Sequence, residues 1–456
     1  MEPTIAAIAT ARGEAALAIV RVSGPEAIAI VDSVFAGPRS GLRGAPSHTA
    51  WFGRVRDGDG RVLDQVVATL FRAPRSSTGE DVVELTCHGG HQAPDSVLEA
   101  LLKAGAAPAA PGEFTKRGFL NGKLDLEQAE AVIDLIHSRS RAAQRVALRQ
   151  LQGRLKERLS GMRADLLRLC GLVELELDFG EEDVEFADRP EIAELLNGLA
   201  STLDELLSSA RFVPQWRDGI RVVIAGRPNA GKSTLLNALL GQERVIVSDT
   251  PGTTRDFVEA EVTLDGLLLR VTDTAGLRET QDSIEMEGVR RADDRIREAD
   301  VLIYLYDAQV GLSEPEAAYL AELDKARPAM SRVVVANKAD LVAGSGRTAH
   351  LRLSASAATR RPEALDPLLE ALRDALPEEL RDYESAEGMI NQRHMSHLRE
   401  AKRATASARS VLEAGLGGEL LSLELRAALQ ALGSITGEVT NEDILGEIFS
   451  RFCIGK

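Results

Sequence analysis

Across the first 118 residues, apolar positions come in short alternating runs punctuated by Gly and Pro. "ALAIVRVSG", "QVVATLF" and "DVVELTCHGG" carry the period of strands, and "HQAPDSVLEALLKAG" carries that of a helix closed by Gly105. The unit they predict is small and α+β. From about residue 124 the period lengthens: "LDLEQAEAVIDLIHSRSRAAQRVALRQLQGRLKERLSGMRADLLRLCGLVELELDF" repeats its apolar residues at helical spacing with few breakers. An acidic stretch with Glu181, Glu182, Asp183 and Glu185 follows, and Pro190 then opens another helix. At "RDGIRVVIAGRPNAGKSTLLNALLG" the pattern becomes a buried strand, a glycine turn and a helix. Strand-like "LLLRVTDTAG", "VLIYLYDA" and "RVVVANKAD" alternate with helical segments until about 378, which predicts a doubly wound sheet. Helical spacing returns in "MSHLREAKRATASARSVLEAG" and "LLSLELRAALQALGSITG".

The predicted fold is therefore multidomain, α/β plus α. A small α+β N-terminal domain occupies 1–118, and a helical domain has its first part at 119–215 and its second at 379–456. An α/β domain at 216–378 is inserted between the two helical parts. Composition narrows the setting. With 27% charged residues and a net charge of -16 over 456 residues, the summed field of the chain repels polyanions, so nucleic-acid contact needs a local basic patch or a partner. The region 139–168 offers such a stripe in Arg141, Arg145, Arg149, Arg154, Lys156, Arg158 and Arg163, read as a long helix face; a merely solvated face is the other reading. Cys87, Cys170 and Cys453 are too few for a disulfide framework or a zinc site, which fits a reducing, cytoplasmic location. "TIAAIATARGEAALAIVRVSG" is broken by Arg12, Glu14 and Arg21 and reads as strand-turn-strand, not as a signal or a membrane span. The end "RFCIGK" has Gly455 and Lys456 where a prenylation motif needs other residues.

The strongest chemical signal is "GRPNAGKST", which satisfies G-x-x-x-x-G-K-[ST]. Here Gly226, Asn229, Ala230 and Gly231 turn backbone N–H groups toward phosphate oxygens. Lys232 reaches the β and γ phosphates, Ser233 ligates Mg²⁺, and Thr234 follows. "DTAG" (Asp273, Thr274, Ala275, Gly276) supplies an Asp for the Mg²⁺ shell and a glycine N–H for the γ-phosphate. In "NKAD", with Asn337, Lys338 and Asp340, the aspartate accepts two N–H groups that guanine has and adenine lacks. "SAS" (Ser354, Ala355, Ser356) stands where the last guanine loop belongs, with Ser356 at a position more often Lys.

In this order and spacing the four motifs resemble the translation-factor-related GTPases, which implies a Ras-like P-loop GTPase domain binding GTP and Mg²⁺. Between them lies "SDTPGTTRDF", where the first switch belongs: Ser248, Asp249, Thr250, Pro251, Gly252, Thr253 and Thr254, the last as Mg²⁺ and γ-phosphate sensor. T-T-R-D together with Asn229 resembles the GTPases that place K⁺ where others use an arginine finger. The resemblance assigns the ion to Asn229, Ser248, Thr250 and Thr253. Leu277 stands where Ras-like enzymes carry a water-orienting Gln. The resemblance gives that role to Glu285, with Glu279 and Glu287 close by in sequence.

"AIVRVSG", "TGEDVVELTCHGG", "PGEFTKRGFLNGKLDLEQAEAVIDLI", "GTTRD", "DTAGLRE" and "ITGEVTNEDILGEIFSRFCIGK" resemble the MnmE (TrmE) tRNA-modification GTPase family over essentially the whole chain. The resemblance implies modification of C5 of the wobble uridine of certain tRNAs, by an aminomethyl or carboxymethylaminomethyl group. It implies a homodimer, a heterotetramer-type complex with the FAD protein MnmG, contact with tRNA and no membrane. It also implies a reduced folate (5-formyl- or 5,10-methylene-tetrahydrofolate) held by Arg21, Glu84, Lys123 and Lys456. Cys453 is open to two readings, a nucleophile beside the carrier carbon or a small packing residue. Two other classes remain in view: a ribosome-assembly GTPase, for which no basic RNA domain is evident after 378, and a regulatory switch without metabolic chemistry.

Overall fold

The computed structural model describes residues 2–37, 41–178, 189–241, 259–273, 295–342, 350–438 and 442–456. The chain forms two compact units. One is Met1–Ile133, Gln150–Leu203 and Ser396–Lys456; the other is Asp134–Arg149 and Asp204–Met395.

In the first unit, seven strands make one sheet: β1 (Ile5–Ile8), β2 (Leu17–Ser23), β3 (Phe35–Ala36), β4 (Thr49–Arg56), β5 (Val62–Phe71), β6 (Val82–His88) and β7 (Ala107–Pro108), in the order β3-β4-β5-β6-β2-β1-β7. Alternation along the strands gives the sheet two different faces. Val20, Val22, Val66, Ala68, Leu70, Val83 and Leu85 point to one side and are buried with Ile28, Val31, Val97 and Leu101 from helices Ala27–Val34 and Gln92–Lys103. Each large aliphatic side chain so buried contributes about 1.5–3 kcal/mol. The opposite face sets Arg21 across from Glu84, Ile19 across from Thr86, and Phe52 across from Val67. Phe52 and Val67 are exposed there, at 68% and 38%.

The helices of the described chain include Leu126–His137, Arg141–Leu151, Arg154–Asp178, Arg189–Ala210, Gln392–Glu413, Gly418–Thr436 and Glu442–Ser450. The long helix expected through 139–168 starts only after Ser140 and is interrupted at Gly153, and this corrects the sequence reading. Ser140 Oγ accepts the Ala143 N–H at 3.0 Å, starting a new helix with a serine cap. Gly153, at φ +89°, ends that helix. The basic stripe is also largely paired with acids: Lys156 with Asp125 at 2.8 Å, Arg145 and Arg149 with Glu384 at 3.0 and 3.3 Å, Arg163 with Glu438, and Arg168 with Glu191.

The second unit holds a six-stranded sheet of β8 (Ile220–Gly226), β9 (Glu259–Leu264), β10 (Leu267–Asp273), β11 (Val301–Asp307), β12 (Ser331–Asn337) and β13 (Leu351–Arg352), ordered β13-β12-β11-β8-β10-β9. All neighbours are parallel except the antiparallel edge strand β9. β8 and β11 are buried nearly end to end, as a central parallel strand must be when both sheet faces are covered. Trp216 Nε1 donates to the Leu380 carbonyl at 3.0 Å, tying the segment that enters this sheet to the one that leaves it. Among the described residues no helix is long and apolar enough to cross a membrane.

Candidate functional site

The central strand β8 ends at Gly226, and the chain turns through a loop into helix Lys232–Leu240. Two glycines are required by contact. A Cβ on Gly226 would lie 1.9 Å from the Leu305 carbonyl oxygen, and one on Gly231 would lie 2.1 Å from Asn337 Nδ2. Gly231 also sits at φ +98° and Asn229 at φ +63°, left-handed conformations that turn the loop into a helix N-terminus, whose first-turn N–H groups favour an anion. Lys232 is buried, and its Nζ donates to the Gly226 and Arg227 carbonyls at 2.9 Å each, which holds the ammonium over the loop.

Ser233 Oγ donates to Asp273 Oδ2 at 2.7 Å. A hydroxyl and a carboxylate drawn together beside a phosphate loop are the donor set Mg²⁺ prefers, hard oxygens with positions left for water and phosphate. Asn337, at the end of β12, donates from Nδ2 to the Ala230 carbonyl at 2.7 Å and accepts the Ala355 N–H on Oδ1 at 2.9 Å. One side chain thus joins the phosphate loop to the Ser354-Ala355-Ser356 loop. Lys338 is left-handed at φ +61° and pairs with Asp307 at 2.7 Å; that hydrogen bond holds the Asp307 carboxyl below its usual range. Asp340 lies exposed in a short 3-10 turn, Ala339–Leu341. Ser354 caps helix Ala355–Ala358 through the Ala357 N–H, and Ser356 is exposed on it.

Ser248, Asp249, Thr250, Pro251, Gly252, Thr253, Thr254, Thr274, Ala275, Gly276, Glu279, Glu285 and Glu287 lie outside the described residues. One support was not singled out in sequence: Arg227, inside the phosphate loop, pairs with Glu316 at 2.9 Å and contacts Ser313, while Tyr304 donates to Glu316 at 3.0 Å. The S-x-x-E capping box at Ser313–Glu316 was a legible signal for it.

The open face of the N-terminal sheet carries the second set of residues. Arg21 and Glu84 pair at 2.7 Å, with Arg21 Nη1 also 3.4 Å from the Gly455 carbonyl and its guanidinium over the Phe114 ring. The chain end is fixed beside them. Phe449 and Phe452 are buried with Leu126 and Ala129, Ile454 bridges to Pro111, and the Phe114 N–H donates to the Lys456 carbonyl at 3.2 Å. A Cβ on Gly455 would lie 2.3 Å from the Ile8 carbonyl oxygen, so only glycine lets the tail approach β1 so closely. Cys453 is exposed, whereas Cys87 and Cys170 are buried, and burial pushes the Cys87 thiol up to about 11. The Lys123 Nζ donates to the Pro74 carbonyl at 2.9 Å.

A parallel sheet whose central strand runs into a glycine loop and helix, with a Ser–Asp pair beside the loop and an Asn-Lys-x-Asp turn joined to it, defines a P-loop GTPase. The sequence model of the "GTP-binding protein TrmE N-terminus" matches residues 4–123, and that of the "MnmE helical domain" matches 126–453. The tRNA modification GTPase MnmE of Salinibacter ruber is 55% identical over 99% of this chain and 99% of its own length. That of Chlorobium phaeobacteroides is 46% identical over 99% and 97%. A solved structure of Era with MgGDPNP and a 16S ribosomal RNA fragment is 29% identical, covering 35% of this chain and 57% of that one, with a TM-score of 0.27. The chain belongs to the MnmE tRNA-modification GTPase family.

Proposed function

We propose that the chain couples K⁺-dependent GTP hydrolysis to modification of C5 of the wobble uridine of certain tRNAs, using a reduced-folate one-carbon unit. In this reading it works in the cytoplasm as a homodimer with the FAD protein MnmG. The observation that carries the proposal is the convergence of Arg21, Glu84 and the C-terminal Gly455 on one open sheet face of a chain that is, over its full length, a member of this family.

The site residues fit the groups proposed. Mg²⁺ would be held by Ser233 and Thr254, with Asp273 in its shell, and would neutralise charge between the β- and γ-phosphates. K⁺ would be held by Asn229, Ser248, Thr250 and Thr253; the left-handed, exposed Asn229 at the turn of the phosphate loop supports this. Asp340 would read guanine through two accepted N–H groups, and Glu285 would orient the attacking water. The Arg21 contact uses Glu84 Oε1, which leaves Oε2 for the amidine-like edge of a pterin. Arg21, Lys123 and Lys456 would supply positive charge for the folate carboxylates, and the tail would bring Cys453 to the carrier. Exposed Phe52 and Val67 on the same face support a second copy packing there, since an apolar cross-strand pair next to a binding residue is a ready interface core.

The four proposed domains, 1–118, 119–215, 216–378 and 379–456, would separate these tasks: folate binding and dimerisation in the first, GTP in the third, and delivery of the tail by the helical parts. Reconstitution tests the whole. Chain, MnmG, unmodified tRNA, GTP and reduced folate together should yield modified wobble uridine. Product formed equally well without GTP and without folate would overturn the proposal.

A further inference from the structure

β9 and β10 form a hairpin with one end at the nucleotide site, where β10 terminates in Asp273, the acceptor of the Ser233 hydroxyl. The other end is a two-residue turn of Asp265 and Gly266, both left-handed at φ +50° and +86°, closing the pair Leu264–Leu267. Seven residues of β10 separate turn from site, a lever of roughly 20 Å at about 3.3 Å per residue. Among the described residues β9 is an edge strand paired with β10, so its far end depends on whatever holds the turn.

What holds it comes from two distant stretches of the chain. The Ala142 N–H, in the first turn of helix Arg141–Leu151 and so without an intrahelical acceptor, donates to the Gly266 carbonyl at 3.0 Å. Tyr383 Oη donates to the Asp265 carbonyl at 3.2 Å. Arg373 forks onto the Asp265 carboxylate, with Nη2 to Oδ1 at 3.1 Å and Nε on Oδ2. Arg139 pairs with Glu261 on β9 at 2.7 Å. The fit is close: a Cβ on Gly266 would lie 2.7 Å from Tyr383 Oη and 3.2 Å from Arg141 Cβ. Arg145 and Arg149 hold Glu384, and with it the segment bearing Tyr383, to the same helix. Beside these contacts lies a cleft of ≈ 930 Å³ lined by Arg139, Gln144, Thr263, Glu370 and Tyr383 among others. Leu264, Gly266 and Leu267 are buried, whereas Asp265 is exposed beside the open cleft and is gripped at discrete polar points, and a grip of that kind can tighten or release.

We infer that helix Arg141–Leu151, Tyr383 and Arg373 form a clamp that positions Asp273 for GTP turnover through the β9–β10 hairpin. None of these residues is part of the nucleotide motifs; they act through the hairpin, as positioning residues. By the same contacts, what binds at Ser233 and Asp273 is felt at the Ala142 amide.

The test is the full chain carrying Arg373→Gln with Tyr383→Phe. The kcat for GTP should fall about tenfold with KM unchanged, within the roughly hundredfold that an ångström of misplacement costs. Arg373→Lys with Tyr383 intact should keep most of the rate. A folded double variant whose kcat stays within about twofold of wild type overturns the inference. Hydrogen exchange on the wild-type chain gives an answer even if the double variant does not fold. A non-hydrolysable GTP analogue that protects the phosphate-loop peptide should also change Ala142 exchange by about threefold or more. Phosphate-loop protection with unchanged Ala142 exchange contradicts the clamp.

Discussion

Asn337 Nδ2 donates to the Ala230 carbonyl at 2.7 Å, so the first residue of the Asn-Lys-x-Asp turn is bonded to the phosphate loop. Its other amide atom takes the Ala355 N–H. Asn337 therefore holds three loops in register. Asn337→Ala leaves a buried carbonyl and a buried N–H without partners, at about 1–3 kcal/mol, and should weaken GTP binding roughly 5- to 150-fold. Asp340→Asn should act differently: with a donor in place of an acceptor, affinity should move from guanine to xanthine nucleotides. Equilibrium binding with the two nucleotides separates the effects.

Hydrolysis by the wild-type chain should be much faster in KCl than in an equal concentration of NaCl, at similar GTP affinity. A bound cation standing in for an arginine finger would supply part of the about 10³–10⁵ that such a finger is worth. Asn229→Ala should flatten the K⁺ response. Phosphate release followed in the two salts measures both, and equal rates for the wild type would remove K⁺ from the account.

The described parts of the candidate nucleotide site, namely the phosphate loop, Asp273 and the Asn337 turn, were legible in the sequence because each is a local motif on one turn. Distant pairings were not legible. Arg139 opposite Glu261, and Ala142 bonded to Gly266, join residues more than a hundred positions apart, and no periodicity announces them. The helix through 139–168 was over-extended because apolar spacing continues across Ser140 and Gly153, whereas capping and backbone conformation end it there. Burial of acids was also invisible. Glu127, a charged residue on a helix, is fully buried.

That burial has a pH consequence. Desolvation, with Asp125 and Glu130 nearby, outweighs the opposing effects of Lys156 and Gln150 and pushes the Glu127 pKa from 4.5 up to about 8. A raised folded-state pKa means the native state holds a proton that the unfolded state releases above 4.5. The stabilisation is full below that pH and is lost as pH rises toward about 8. Glu127→Gln should therefore gain stability relative to wild type between these limits, with a constant difference above them. Each kcal/mol would appear as roughly 2–4 °C in Tm. Thermal melts of both proteins across pH 5 to about 9 check it; parallel curves would contradict it.

Cys453 is exposed on a tail whose neighbours Phe449 and Phe452 are buried, so replacing it should leave the anchor intact. Cys453→Ser keeps approximate size and removes thiolate chemistry. GTP turnover and Tm should match wild type while tRNA modification is lost. Full modification by the Ser variant would assign Cys453 to packing.

The most direct measurement is nucleoside analysis of tRNA from cells lacking this chain, with and without restoration of the wild-type gene. The C5-modified wobble uridine should disappear in its absence and return with the wild type. It should not return with Lys232→Ala, which removes the ammonium held over the phosphate loop. Intact wobble-uridine modification in the strain without the chain would contradict the account.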